Sequence, residues 1–208
     1  MTNPSSFMGP PDIPDPLYKY LSRRLPTSGR LVDLGCGRGR WLEFAKRRGM
    51  DSLGVDNDQW SVDHCVDAHL NATLSEIWDF FDRREATDVS VFSAFHLVEH
   101  LTPDEVQRLI NLMALGLQPG GMCILVTPNF SDWGIASEVF WLDPTHIRPY
   151  PLPLLRMMCE KAGLEISYQR NVRLVKMGIR ASLMRPINRL RFGRQFDRMN
   201  SVVVAVKP

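Results

Sequence analysis

The stretch Leu31-Val32-Asp33-Leu34-Gly35-Cys36-Gly37-Arg38-Gly39 constrains this chain more than any other. An apolar run leads into three glycines at alternate positions, and an amphipathic segment follows. That order reads as a buried strand, Arg30 to Leu34, then a tight turn, then a helix from Gly39 to Arg48 closed by Gly49. Glycines suit a turn where a ligand lies against the backbone, because a Cβ would stand in the way. A second strand, Ser52 to Asp56, ends in an acid about 20 residues on, where a carboxylate can accept both hydroxyls of a ribose. A chain that opens this way is committed to an α/β fold with a mainly parallel sheet.

The rest of the pattern extends that alternation. Leu17 to Leu25 reads as a short helix ahead of Pro26. Between residues 57 and 87 we expect a third strand near Cys65–Val66 and a helix from about Leu70 to Phe81. Asp88 to Ser93 is a strand. Thr102 caps a helix that Pro103 begins and that runs to about Leu117. Pro119-Gly120-Gly121 turns the chain into a buried strand, Met122 to Thr127. Residues 128–150 read as a long loop rich in aromatic and polar side chains. A helix from Pro153 to Ala162, with Gly163 as its cap, leads to strands Leu164–Tyr168 and Ser201–Val206.

Composition narrows the class without naming it. The 208 residues are 44% hydrophobic and 23% charged, with a net charge of +2. This is ordinary for a globular domain and demands neither DNA nor a membrane as partner. The four cysteines, Cys36, Cys65, Cys123 and Cys159, form no metal-ligand pair or disulfide framework, so reduced thiols in a cytoplasmic protein are expected. Residues 1–16 carry five prolines and no apolar run; they read as an extended arm before a domain spanning 17–208.

The spacing of the glycines and Asp56 admits a dinucleotide or S-adenosylmethionine. The wording Asp-Leu-Gly-Cys-Gly-x-Gly resembles the first motif of class I S-adenosylmethionine-dependent methyltransferases. Leu117-Gln118-Pro119-Gly120-Gly121 is similar to that family's turn before its fifth strand. The resemblance implies a Rossmann-like, seven-stranded, mostly parallel sheet with helices on both faces, and S-adenosyl-L-methionine as cofactor. It also implies roles. Gly35, Cys36 and Gly37 lie against the methionine part, Asp33 holds the amino group, and Asp56, with Asn57 beside it, meets the ribose. Asp67 and Ala68 stand where the family contacts adenine, and Ser93, with Ala94 and Phe95, forms the wall beneath the sulfonium.

After the fourth strand comes His96-Leu97-Val98-Glu99-His100. It resembles the Glu-x-x-Glu-His metal site of small-RNA 3′-terminal and ubiquinone-pathway O-methyltransferases, with His96 replacing the first acid. His146, in Phe140-Trp141-Leu142-Asp143-Pro144-Thr145-His146-Ile147-Arg148-Pro149, falls where those enzymes place a distant histidine. His96, Glu99, His100 and His146 are thus candidate ligands for a divalent metal, and a mixed imidazole and carboxylate set suits zinc, manganese or iron(II) better than magnesium. The same phrase resembles bacterial methyltransferases acting on glycans, including O-antigen chains. Transfer from a sulfonium needs alignment above all, and positioning can supply about 7–11 kcal/mol. A sugar hydroxyl also needs a base or a metal; His146 is the first candidate base and His100 the second. The plainer alternative is that Glu99 and His100 support the helix start and His146 is a satisfied loop residue.

Arg170 to Arg198 holds nine Lys or Arg residues and one acid, Asp197, with Ile179, Leu183, Ile187 and Leu190 at helical spacing. This basic insertion packs on the sheet or a second subunit, or faces an anionic substrate or the inner face of the membrane. The expected activity is O-methylation of a sugar or glycan, lipid-linked or phosphorylated acceptors included. The rivals are a quinone-precursor, other small-molecule or RNA 3′-end methyltransferase, and a non-catalytic cofactor-binding component of a glycan-assembly complex.

Overall fold

The computed structural model describes residues 15–83, 86–172 and 200–208. Its strands are β1 (Arg30–Leu34), β2 (Asp51–Asp56), β3 (Ala72–Leu74), β4 (Val89–Phe95), β5 (Leu117–Pro128), β6 (Glu165–Val172) and β7 (Asn200–Val206). Its helices are α1 (Asp15–Ser22), α2 (Arg40–Arg47), α3 (Gln59–Asp67), α4 (Ile77–Asp82), α5 (Pro103–Gly116), α6 (Trp133–Ser137) and α7 (Leu152–Lys161).

The seven strands form one sheet in the order β3-β2-β1-β4-β5-β7-β6. The first five are parallel; β7 runs antiparallel between β5 and β6. Period-two alternation divides the apolar residues between two faces. Leu31, Val91, Ile124 and Val204 pack with Leu17, Leu21, Trp41 and Leu42 on one side. Val32, Phe92, Leu125 and Val203 pack with Phe80, Leu109, Met113 and Leu155 on the other. β4 lies at the centre with all seven residues buried, as a strand covered on both faces must.

The chain direction brings the ends of β1, β2, β3, β4 and β5 to one carboxyl edge, where open α/β sheets bind ligands. α5 is fixed there by a capping box. Thr102 N donates to Glu105 Oε2 at 2.8 Å and Glu105 N to Thr102 Oγ1 at 3.4 Å, satisfying two otherwise orphan donors.

Several expectations shift. Cys65–Val66 is not a strand but the last part of α3, begun by Asp58, whose side chain accepts from Ser61 N at 3.1 Å. Val62 and Cys65 face the core while Val66 is exposed, a helical and not a strand pattern. The third strand is Ala72–Leu74, three residues without one buried position, and the helix expected from Leu70 begins only at Ile77. The loop at 128–150 contains α6, whose first turn is capped by Asp132, and a 3-10 turn at Val139–Leu142. β5 already pairs with β4 at Leu117, with a register shift before Met122. The first three residues of the basic insertion, 170–172, end β6, and the remainder to 198 lies outside the described residues. So does the expected arm, except that Asp15 and Pro16 open α1. No helix among the described residues is long and apolar enough to cross a membrane.

Candidate functional site

The glycine turn leaves β1 with Gly35, Gly37 and Gly39 all at positive φ, 69°, 50° and 71°, which L side chains rarely adopt. Gly35 N and Cys36 N both donate to Val55 O, at 2.8 and 3.1 Å, anchoring the turn on β2. The glycines serve different ends. A Cβ on Gly39 would meet Cys65 Sγ and Leu70 Cδ1 at 2.7 Å, so that glycine is required by packing on α3. One on Gly35 would come within 3.3 Å of Leu97, which overhangs the turn.

The side chain of Cys36 is used in packing. Its thiol is buried, turned toward the Gly37 carbonyl that Cys65 Sγ also contacts at 3.3 Å. It fills the space beside Gly54, where a Cβ would lie 2.5 Å from Cys36 Sγ. Gly54 is thus required by packing against the turn, which reading the turn alone passes over.

Asp56 closes the turn. Its carboxylate accepts from Gly37 N at 2.7 Å and Asp58 N at 2.9 Å. Burial raises its pKa, against the pull of these backbone donors. Each oxygen retains a lone pair for a ribose hydroxyl. Asn57 donates instead to Glu76 Oε1 at 3.1 Å, and Ser75 N to Asp56 O at 2.9 Å. Ser75 and Glu76 therefore stand at the carboxyl edge where Asp67 and Ala68 were expected. Those two are exposed at the far end of α3, at the opposite edge of the sheet. A three-residue strand without a buried position left no signal in the sequence for which residues reach that edge.

Asp33 lies on β1, paired in register with Ser93 of β4, and accepts from Ser93 Oγ at 2.6 Å. Burial pushes its pKa well above the usual carboxylate range, and the Ser93 hydroxyl opposes that shift. Ser93 itself is fully buried. Its hydroxyl is engaged by Asp33 on the face that both residues share.

The second half of the site is a turn and a strap. At the end of β4, His96 takes a positive φ of 54°. Its Nδ1 lies 3.0 Å from Glu99 Oε1, and its Nε2 is buried without a partner. Glu99 is fully buried and its other oxygen accepts from Thr127 Oγ1 at 3.0 Å. Burial would raise the Glu99 pKa, but the hydrogen bond and charge of His96 hold it below the ordinary value. The strap at 139–150 is stitched across this turn: Ile147 N donates to Glu99 O at 2.8 Å and Tyr150 Oη to Leu101 O at 2.7 Å.

The strap brings His146 to His100, with ring centroids 4.7 Å apart. His146 Nδ1 lies 2.6 Å from the Phe140 carbonyl. A carbonyl can only accept, so Nδ1 carries the proton and Nε2 is left with its lone pair. His100 Nδ1 is likewise held by Thr145, 3.3 Å from its carbonyl and 2.9 Å from its hydroxyl. Thr145 Oγ1 in turn donates to Asp143 Oδ1 at 2.6 Å. Burial lowers the His100 pKa, against the pull of Glu99.

Ligand atoms of Glu99, His100 and His146 lie within 4.8 Å of one another, close enough to share a cation. His96 stands outside that group: its turn at the end of β4 sets the ring against Glu99 as an orienting partner. Two imidazoles with fixed tautomers and an outer-anchored carboxylate form a set that can take a proton or a borderline divalent metal.

A family profile described as a methyltransferase domain matches residues 11–169. Carboxy-S-adenosyl-L-methionine synthase of Pasteurella multocida is 31% identical over 113 residues, 50% of this chain and 46% of that protein. A ubiquinone biosynthesis O-methyltransferase of Coxiella burnetii is 28% identical over 133 residues, 61% of this chain and 56% of that one. The dTDP-3-amino-3,4,6-trideoxy-alpha-D-glucopyranose N,N-dimethyltransferase of Streptomyces venezuelae is 27% identical over 128 residues, 58% and 53% of the two chains. The chain thus spans about half the length of the curated relatives it matches. Among solved structures, a SAM-dependent methyltransferase from Archaeoglobus fulgidus superposes with a TM-score of 0.73 at 24% identity, covering 93% and 94% of the two chains. That likeness establishes a shared fold.

Proposed function

This chain belongs to the methyltransferase-domain family, and from that premise we propose that it transfers the methyl group of S-adenosylmethionine to a hydroxyl of a sugar or glycan. The observation that carries the reading is the placement of two imidazoles with free Nε2 lone pairs, His100 and His146, at the carboxyl edge that also carries Gly35, Gly37 and Asp56. A methyl donor laid along the glycine turn, with its ribose on Asp56, directs its sulfonium toward the end of β4. His146 then accepts the hydroxyl proton as the oxygen attacks the methyl carbon and the sulfur departs with its bonding pair. The choice of a sugar is supported by the sugar-directed name of the Streptomyces relative, and that of oxygen by the Coxiella one.

The test is transfer of a trideuteromethyl group from labelled cofactor to a panel of sugar nucleotides, methyl pyranosides and dihydroxyphenols, read by mass spectrometry. A labelled pyranose is the expected product. Label on the phenols alone would overturn the sugar reading.

A divalent metal is a second element of this proposal, favoured by the convergence of Glu99, His100 and His146. Bound there, it would lower the pKa of an acceptor hydroxyl, while His96 and Thr127 hold Glu99 in place. Protein loaded with Mn²⁺ or Zn²⁺ should retain about one ion per chain on elemental analysis, with ligand distances of about 2.0–2.3 Å. His146→Ala should lose it, and chelation should abolish turnover. Full activity in excess chelator would leave His146 as a base without metal.

A further inference from the structure

Trp141 is a large apolar side chain that is 56% exposed and yet firmly held. Its indole Nε1 donates to Ala136 O at 2.9 Å. Its ring meets Phe140 edge-on with centroids 5.0 Å apart, and Phe130 at 6.2 Å. The N–H is satisfied and two aromatic rings pack against the indole, so its exposed surface is presented in one orientation.

That orientation is set by the same residue that sets His146. Phe140 is buried, holds His146 Nδ1 on its carbonyl and packs its ring 4.4 Å from the imidazole. The platform and the proton acceptor are therefore rigidly connected through one side chain. The imidazole of His146 in turn adjoins His100, which is joined to Thr145 and Asp143 in a single hydrogen-bond chain. An exposed indole connected through Phe140 to a histidine and its hydrogen-bond chain matches a pyranose, which has an apolar patch of C–H bonds on its ring face and hydroxyls around its rim. The negative face of the indole attracts those polarised C–H bonds.

We propose that Trp141 is the acceptor-positioning platform of this site, stacking a pyranose ring so that one rim hydroxyl faces His146. This rests on the sugar-acceptor reading above. A bilayer is the competing partner for an exposed tryptophan, particularly with Leu142 and Ile147 exposed nearby. A bilayer does not call for an indole locked in one plane and coupled to a histidine, and the sugar is the reading these contacts favour.

The experiment compares wild type, Trp141→Ala and Trp141→Tyr in the full chain. Each is assayed on whichever pyranoside or sugar nucleotide of the panel is methylated, alongside S-adenosylhomocysteine affinity, melting temperature and sedimentation with phosphatidylglycerol vesicles. Trp141→Ala should raise KM about tenfold or more with kcat kept within about threefold, a loss of uniform binding. Trp141→Tyr should recover most of it, with cofactor affinity and melting temperature unchanged. An unaltered KM on a methylated pyranoside overturns this proposal alone and leaves the sugar reading standing. Equal KM losses in Ala and Tyr accompanied by a lower melting temperature overturn it in favour of packing. Vesicle binding that disappears with Trp141→Ala, with KM for the pyranoside unchanged, overturns it in favour of the bilayer. Methylation of phenols and no pyranoside overturns both readings together.

Discussion

Individual residues at this site are defined by the partners that hold them, and pH should reveal that. Burial keeps His100 below the ordinary histidine range, so at neutral pH it is uncharged and has a lone pair to offer. Activity that depends on it should be constant above about pH 6.5, the ordinary histidine value, and be lost on the acid side. Stability follows the same sign. Below the unfolded value and above the depressed folded one, the unfolded chain binds the proton more readily, so folding weakens as pH falls through that window. A pH–rate profile of kcat/KM whose acid limb lies above pH 7 would contradict this account. A His100→Gln variant should lose that component of the pH dependence of its melting temperature. At this scale Gly35, Gly37, Asp33 and Asp56 were legible because a turn under steric restraint and a strand-ending acid leave a spaced, chemically specific trace. Ser93 was legible as a position, but only the register of β1 against β4 shows that its hydroxyl donates to Asp33. His96 was set among the metal ligands because its letter fits; the backbone at positive φ directs its ring to Glu99 instead.

Among the elements, the strap at 139–150 matters most for the proposed chemistry, and Phe140 is its keystone. It is buried, packs on Phe130 and Trp141, and anchors His146 through its carbonyl. Phe140→Ala should cost about 3–5 kcal/mol of stability if the strap is cooperative with the core. It should lower kcat more than it changes cofactor affinity, since the glycine turn belongs to other elements. Unfolding in urea together with cofactor titration checks both. A variant with wild-type kcat would show that the strap does not position the chemistry. The strap read as loop from sequence because its one helical turn, Val139–Leu142, is four residues long and has no side-chain cap. Long, strongly patterned elements were read closely: Arg30–Leu34 coincides with β1, and Thr102-Pro103 starts α5. The region from 57 to 87 was not, because β3 has too few buried residues to imprint an alternation and the pair Cys65–Val66 mimics a strand. Asp58, placed just before the helix, was the signal that could have corrected it.

At the scale of the whole molecule, the sheet order and the single antiparallel strand collect six strand ends at one edge, and every candidate residue of the site except Asp67 and Ala68 lies on or beside that edge. That convergence could be foreseen from alternating strands and helices, since a parallel sheet must carry its turns to one side. The contact between His100 and His146 could not, because 45 residues of chain separate them and only the strap's hydrogen bonds to Glu99 and Leu101 close the distance. The central claim is that this edge is built for a methyl-donor nucleoside. Calorimetric titration of S-adenosylhomocysteine into wild type and Asp56→Ala, with NAD⁺ as the competing ligand, tests it most directly. The account predicts micromolar or tighter binding to wild type, on the order of −8 kcal/mol. It predicts a loss of about tenfold or more in Asp56→Ala as two charge-assisted hydrogen bonds go, and no heat from NAD⁺. Wild type that binds NAD⁺ and not S-adenosylhomocysteine, or a variant with undiminished affinity, would contradict it.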